Sequence, residues 1–183
     1  MRIVGGEAGG RSIRAPRGQD TRPTSDKVRQ ALFNILGPPP EGARVLDLYC
    51  GSGALGLEAV SRGAALAVLV DRSAVAIRMA RENARILGFE DRTRVVQGDV
   101  VPSLARLDGP FHWVFVDPPY ASGEVDRTLG ALGGRETALL GEGALVLAEH
   151  DHRRPPLERH GRLALADLRR WGDTAVSFFQ VRP

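Results

Sequence analysis

Four short apolar runs in the middle of the chain meet or end on an acidic residue, and helical stretches separate them. They are Arg44-Val45-Leu46-Asp47-Leu48, Leu66 to Asp71, Thr93 to Val96 followed by Gly98-Asp99, and Phe111 to Val116 followed by Asp117. Runs of this length, rich in Val, Leu and Phe, form strands buried on both faces. Between them, Ala54 to Arg62 and Ala74 to Leu87 carry helical patterns. The second offers Ala76, Ile77, Ala80, Ala84 and Leu87 for one face, with Gly88 to close it. A short helix is expected near Pro102 to Leu107 and a fifth strand at Ala144 to Ala148. Alternation with short connections requires a parallel sheet covered by helices on both faces. The C-terminal part departs from this: Arg162 to Arg170 and Ala175 to Val181 are joined tightly at Trp171-Gly172-Asp173-Thr174, which only an antiparallel pair permits. The predicted architecture is α/β, a doubly wound and mostly parallel sheet finishing in an antiparallel hairpin.

The N-terminal part follows different rules. Gly5-Gly6 and Gly9-Gly10 predict a glycine turn between two short strands. Cap-forming residues then precede a helix with Val28, Ala31, Leu32 and Ile35 on one face and Thr24 or Ser25 as N-cap. Gly37 and Pro38-Pro39-Pro40 end it, so the chain divides into an extension, residues 1–37, and a main domain, 38–183. Residues 1–30 hold seven basic side chains against three acids, more than the whole chain's net charge of +3. A basic arm on a near-neutral body suits a polyanion, since arginines displace phosphate counterions. One cysteine, Cys50, excludes an internal disulfide framework and fits a reducing cytoplasm. No apolar stretch approaches a membrane span and no signal-peptide core is present, so a cytoplasmic protein with no membrane partner is expected.

Ligands of such sheets bind beyond the carboxyl ends of the strands, where the four acids converge. The first loop, Asp47 to Gly56, contains Gly51-x-Gly53-x-x-Gly56 between a strand and a helix. Its glycines let backbone approach a ligand, and the helix start supplies free N–H groups. Read literally this is a dinucleotide fingerprint, with Asp71 twenty residues after Gly51. Asp47 argues otherwise, because a carboxylate there repels a diphosphate and attracts an ammonium or sulfonium. S-adenosylmethionine carries both. Asp71 then suits the two ribose hydroxyls, and Arg72 lies along the adenine. Asp99 accepts from the adenine amine, beside the Val100 N–H; the same Asp99 is equally well placed as a helix N-cap. Asp117-Pro118-Pro119-Tyr120 closes the fourth strand. Two prolines remove donors and stiffen the turn, leaving carbonyls, a carboxylate and an aromatic face. Such a turn suits a flat group that donates N–H bonds, such as a nucleobase amine.

Together these residues resemble class I S-adenosylmethionine-dependent methyltransferases, and more closely the RsmD family, which methylates a guanine N2 of 16S ribosomal RNA. Three segments carry the likeness: Arg22-Pro23-Thr24-Ser25-Asp26-Lys27-Val28-Arg29-Gln30-Ala31-Leu32-Phe33-Asn34, the Asp47–Gly56 loop, and Asp117-Pro118-Pro119-Tyr120. The resemblance implies a Rossmann-like methyltransferase sheet, no metal, and a substrate within the small ribosomal subunit or its assembly intermediate, bound by a monomer. It also implies that the flipped guanine stacks on Tyr120 while its N2 amine donates to Asp117 and the Pro118 carbonyl. Arg22, Thr24, Lys27 and Arg29 would approach RNA near the cofactor mouth. Lys27 and Gln30 stand where the family more often has arginine and glutamate.

Other chemistries fit less of the chain. Glu149-His150-Asp151-His152 lacks further spaced ligands and reads as a polar strand end. Cys50 lies against the cofactor glycines and reads as a packing residue. Trp171 reads as a hairpin anchor. Amino-group transfer to DNA adenine N6 or cytosine N4 would want a separate target-recognition domain, and transfer to a protein glutamine would leave the basic arm without a purpose. An NAD(P)-dependent oxidoreductase is opposed by Asp47 and by the proline turn. A non-catalytic RNA-binding module would have no need of Asp117.

Overall fold

The computed structural model describes residues 1–15, 23–119, 123–134 and 138–182, with backbone alone at 23–25. Five parallel strands form its centre: β1 (Arg44–Leu48), β2 (Leu66–Asp71), β3 (Thr93–Gln97), β4 (Phe111–Val116) and β5 (Leu140–Asp151). Three antiparallel strands, β6 (Arg159–His160), β7 (Leu163–Trp171) and β8 (Thr174–Val181), complete one sheet in the order β3-β2-β1-β4-β5-β8-β7-β6. The chain reverses direction across the sheet between β1 and β4, which opens a crevice at their carboxyl ends. β5 is longer than its apolar run because Asp151 still pairs with Thr174 of β8. That pairing brings the β7–β8 turn to the same edge as the crevice.

The helices are α1 (Pro23–Leu36), α2 (Ala54–Ser61), α3 (Ala74–Leu87), α4 (Val100–Leu104) and α5 (Glu124–Gly133). Ser73 caps α3 by accepting the Ala76 N–H at 3.4 Å, and Gly88 ends it with φ 75°. α4 starts earlier than its sequence predicts, because a proline in a first turn gives up no hydrogen bond and Pro102 is accommodated inside it. α5 is not legible in the sequence: two of its ten residues are glycine, and its packing supplies what propensity lacks. Thr128, Leu129 and Leu132 are buried on its inner side.

Both faces of the sheet are covered. Leu46, Leu48, Val68, Val70, Val114 and Val116 pack with α4 and α5 on one face. On the other, Ala67 and Leu69 meet Leu57 of α2 and Ala80 and Ala84 of α3. Val45, Trp113 and Phe115 on that second face meet α1 through Phe33, whose ring lies 6.2 Å from Trp113 and 5.7 Å from Phe115. This rotates α1 from its expected orientation. Val28, Leu32 and Phe33 are buried, while Ile35 is 46% exposed. Because α1 begins at Pro23, Thr24 and Ser25 lie in its first turn rather than at an N-cap.

The N-terminal segment folds onto the sheet's helices. A single antiparallel bridge, Arg2 with Ser12, stands where two short strands were expected. Ile3, Ala8 and Ile13 are buried against α2 and α3. Buried polar groups of those helices complete the attachment. Glu58 accepts the Val4 N–H at 2.8 Å, and the Ser61 hydroxyl accepts the Ala8 N–H at 2.9 Å. The Asn83 amide holds both the N–H and the C=O of Arg14, at 2.7 and 3.0 Å, and also donates to the Ser52 carbonyl at 2.9 Å.

Glu58 is wholly buried and faces two guanidinium groups, Arg62 at 2.7 Å and Arg29 at 3.7 Å. Deleting it removes a carboxylate partner from two largely buried guanidinium groups and the acceptor of the Val4 N–H. Glu58→Ala is expected to cost about 3 kcal/mol or more of unfolding free energy, read from the urea midpoint. Glu41→Ala, at an exposed position, should shift that midpoint little.

Candidate active site

Asp47 sits beneath the glycine loop, 1% exposed, and its Oδ2 accepts the Gly56 N–H at 2.9 Å. Burial raises its carboxyl pKa well above the ordinary range, the Gly56 bond opposes that, and Asp117 and Asp71 add to it. Gly56 is required by the packing: a Cβ there would fall 2.3 Å from Leu69 Cδ2. Gly51 and Gly53 take left-handed conformations, φ 54° and 79°, and Gly51 has open space where a Cβ would project. The Asp71 carboxylate accepts from the Gly51 N–H at 3.0 Å and the Ser73 N–H at 2.8 Å, one on each oxygen. Each oxygen keeps a lone pair for an outside donor. Arg72 beside it is exposed.

Asp99 occupies the N-cap position of α4 without making a side-chain capping bond, and Val100 opens the helix. Its carboxylate is therefore available, as is the unpaired first-turn N–H. Asp99 also borders a hollow of about 250 Å³ between β3 and α4, lined by Arg94, Pro102 and Arg106 among others. No residue of the glycine loop lines that hollow, so it is distinct from the crevice over β1 and β4.

Across the switch point, Asp117 leaves β4 with Pro118 buried and Pro119 exposed. Asp117 is open to solvent on one side and crowded by protein on the others, and desolvation pushes its pKa up to about 6. Glu149 of β5 lies in the next strand position, half-buried, with burial and Asp117 raising its pKa to about 8. Neither Glu149 nor Tyr49 was among the residues singled out for the site. Tyr49 holds φ 62° at the end of β1, and its hydroxyl bonds Glu124 at 3.1 Å and Thr128 at 2.7 Å. These bonds tie the loop to α5, an element the sequence did not reveal. The signal for Glu149 was present, since an acid follows the apolar run of β5 as one follows that of β4.

The remaining expectations divide. Arg22 and Tyr120 lie outside the described residues, as does the Thr24 side chain; the Thr24 backbone belongs to α1. Lys27 is exposed. Arg29 is not available to a phosphate: it is 5% exposed, pairs with Asp26 at 2.9 Å and with Glu58, and donates to the Arg2 carbonyl. Its helical position faces the extension rather than the solvent. Cys50 is buried among apolar neighbours, and burial beside Asp47 and Asp71 pushes its thiol far up. In the Glu149–His152 run, His150 bonds the Ser177 hydroxyl at 2.8 Å and Asp151 grips Arg153 at 2.9 and 3.0 Å. Trp171 packs at the edge of the core beneath α1.

The crevice thus gathers a glycine loop, two open lone-pair sites on Asp71 and a row of carboxylates on adjacent strands. The arrangement matches a ligand with a diol and positive charge, and does not match a diphosphate. Comparison with known proteins gives the family. The family described as "Conserved hypothetical protein 95" matches residues 1–180. "Putative rRNA methyltransferase YlbH" of Bacillus subtilis is 36% identical over 185 aligned positions, covering 100% of both chains. "Ribosomal RNA small subunit methyltransferase D" of Escherichia coli K12 is 38% identical over 151 residues, 82% of this chain and 75% of that one. The solved structure "Putative methyltransferase yhhF from Escherichia coli" superposes with a TM-score of 0.86 at 34% identity, covering 100% of this chain and 98% of that one. The α/β fold with a parallel core and antiparallel end is that of these methyltransferases, and the chain belongs to the RsmD family.

Proposed function

We propose that this protein transfers the methyl group of S-adenosylmethionine to the exocyclic N2 amine of a guanine in 16S ribosomal RNA. It would act as a cytoplasmic monomer on the small ribosomal subunit or its assembly intermediate. One observation carries the reading: β1 and β4 are neighbours, so Asp117 stands one strand from Asp47 and the glycine loop. A donor methyl held over β1 and an amine held at Asp117 are then adjacent. The relatives' names, an rRNA methyltransferase and a ribosomal RNA small subunit methyltransferase, support ribosomal RNA and the small subunit.

S-adenosylmethionine supplies an activated methyl on a sulfonium. Asp71 binds the ribose diol, Asp99 and the Val100 N–H the adenine, and the glycine loop the methionine portion, with Asp47 setting the sign of the field. Asp117 and the Pro118 carbonyl take the two N–H bonds of the amine. An exocyclic amine is a weak nucleophile because its lone pair is delocalised into the ring. Fixing both N–H bonds points that lone pair at the methyl, so positioning does most of the work. The methylated amine is acidic and loses its proton readily, which asks little of Asp117 as a base. Tyr120 supplies the stacking face for the flipped base. Arg22, Thr24 and Lys27 face the RNA; no metal is needed.

Two measurements test this. Asp117→Ala should lower methyl transfer to small subunits lacking the modification by about a hundredfold while leaving S-adenosylmethionine binding by calorimetry nearly intact. NAD binding without S-adenosylmethionine binding, or modification mapped to an adenine, would overturn the reading. The acids also predict a pH profile. Burial raises the Asp47 pKa in the folded protein, so its ionisation, and with it attraction for a sulfonium, grows as pH climbs. Affinity for S-adenosylmethionine should strengthen as pH climbs above the ordinary carboxylate range, in step with Asp47. S-adenosylhomocysteine, whose sulfur is neutral, should show a flatter profile.

A further inference from the structure

The acids at the carboxyl edge follow the strand order. Reading across the sheet, they are Asp99 after β3, Asp71 at the end of β2, Asp47 in β1, Asp117 after β4 and Glu149 in β5. The first four have assigned partners in sequence: adenine, ribose, methionine and the target amine. Glu149 is the fifth and has none. The parallel register pairs Val116 with Ala148, which sets Asp117 and Glu149 side by side on the face that carries Phe115 and Leu147. Glu149 is half-buried, and among the described residues its carboxyl group has neither a hydrogen bond nor an ion pair. Its neighbour His150 is already held by Ser177. A carboxyl group one strand beyond the reacting amine, and still facing the crevice, meets whatever part of the base lies next to that amine.

We propose that Glu149 is a specificity-determining residue that reads the Watson–Crick edge of the target guanine, accepting its N1–H and donating to O6. This rests on the proposed function above. Guanine presents a donor, N1–H, directly beside its N2 amine and an acceptor, O6, beyond it. Adenine and cytosine instead place a lone pair beside their exocyclic amines. A neutral carboxyl offers an acceptor and a donor side by side, which matches N1–H and O6 as a pair. Burial and Asp117 keep Glu149 protonated more than an ordinary glutamate near neutral pH, favouring that form. Asp117 is then left wholly to the amine. Neither proline of the turn could make this contact, since neither has an N–H to give.

The test uses small subunits lacking the modification, rebuilt with either guanosine or 2-aminopurine riboside at the mapped target. 2-Aminopurine keeps the N2 amine but has neither N1–H nor O6. The wild type should methylate guanosine at least about tenfold better. Glu149→Ala should lower the guanosine rate by that factor and leave the 2-aminopurine rate nearly unchanged, so the ratio collapses. Glu149→Gln, which keeps an acceptor and a donor on one planar group, should retain the ratio and serves equally if the alanine variant fails to fold. Equal losses on both bases, or a ratio preserved in Glu149→Ala or lost in Glu149→Gln, would overturn the proposal. If the wild type modifies guanosine at another atom, the function itself is wrong, and Glu149 falls with it.

Discussion

The hydrogen bond from the Gly56 N–H to the buried Asp47 carboxylate is the point on which the site is built. It joins the start of α2 to the middle of β1, and it exists only because Gly56 lets the helix approach Leu69 so closely. That approach fixes where the glycine loop can run. When ionised, the same carboxyl group is a source of negative potential that water screens poorly, because it is buried. Asp71 and Asp117 lie at the ends of the strands to either side, and their charges add to the rise in the Asp47 pKa. Acids gathered and desolvated at one edge resist ionising, and Asp47, Asp117 and Glu149 are each held closer to the neutral form than they would be in water. A nearby cation would favour the ionised forms, which is how such an edge can discriminate by charge.

Much of this was legible in the chain. The central strands are continuous apolar runs bounded by glycine, proline or acid, and β1, β2 and β4 begin and end where those runs do. α3 carries its own boundaries in Ser73 and Gly88. The row of acids follows from the strands alone, since the carboxyl end of every parallel strand points the same way. Legibility failed where tertiary contact outweighs local preference. α5 contains two glycines, yet it is helical because Leu129 and Leu132 complete the core over β1 and β4. The face of α1 was misread because Phe33 packs on Trp113 and Phe115, aromatic contacts that helical spacing cannot anticipate.

Arg29 shows the limit most sharply. An arginine in a basic segment at the start of a helix reads as a phosphate contact, and its one local partner, Asp26 three residues before, does not by itself bury it. What separates it from its exposed neighbour Lys27 is Glu58, twenty-nine residues later, on a helix of the other part of the chain. Charge counted along a sequence does not distinguish groups that meet a partner in solution from groups already neutralised within the fold. The extension's net positive charge therefore overstates what it can offer to a polyanion.

The clasp formed by Glu58, Ser61 and Asn83 bears on how this fold could be inherited. All three are buried polar residues on helices of the methyltransferase body, and all three are satisfied by backbone groups of residues 4 to 14. Without residues 4 to 14, Glu58 would keep Arg62 and Asn83 would keep the Ser52 carbonyl, but each would lose a buried partner, as would the Ser61 hydroxyl. The extension is therefore not a cassette that a bare methyltransferase could acquire or shed in one step. Domain and appendage have to change together, and a methyltransferase of this fold without such an arm must carry apolar or exposed residues at those three positions.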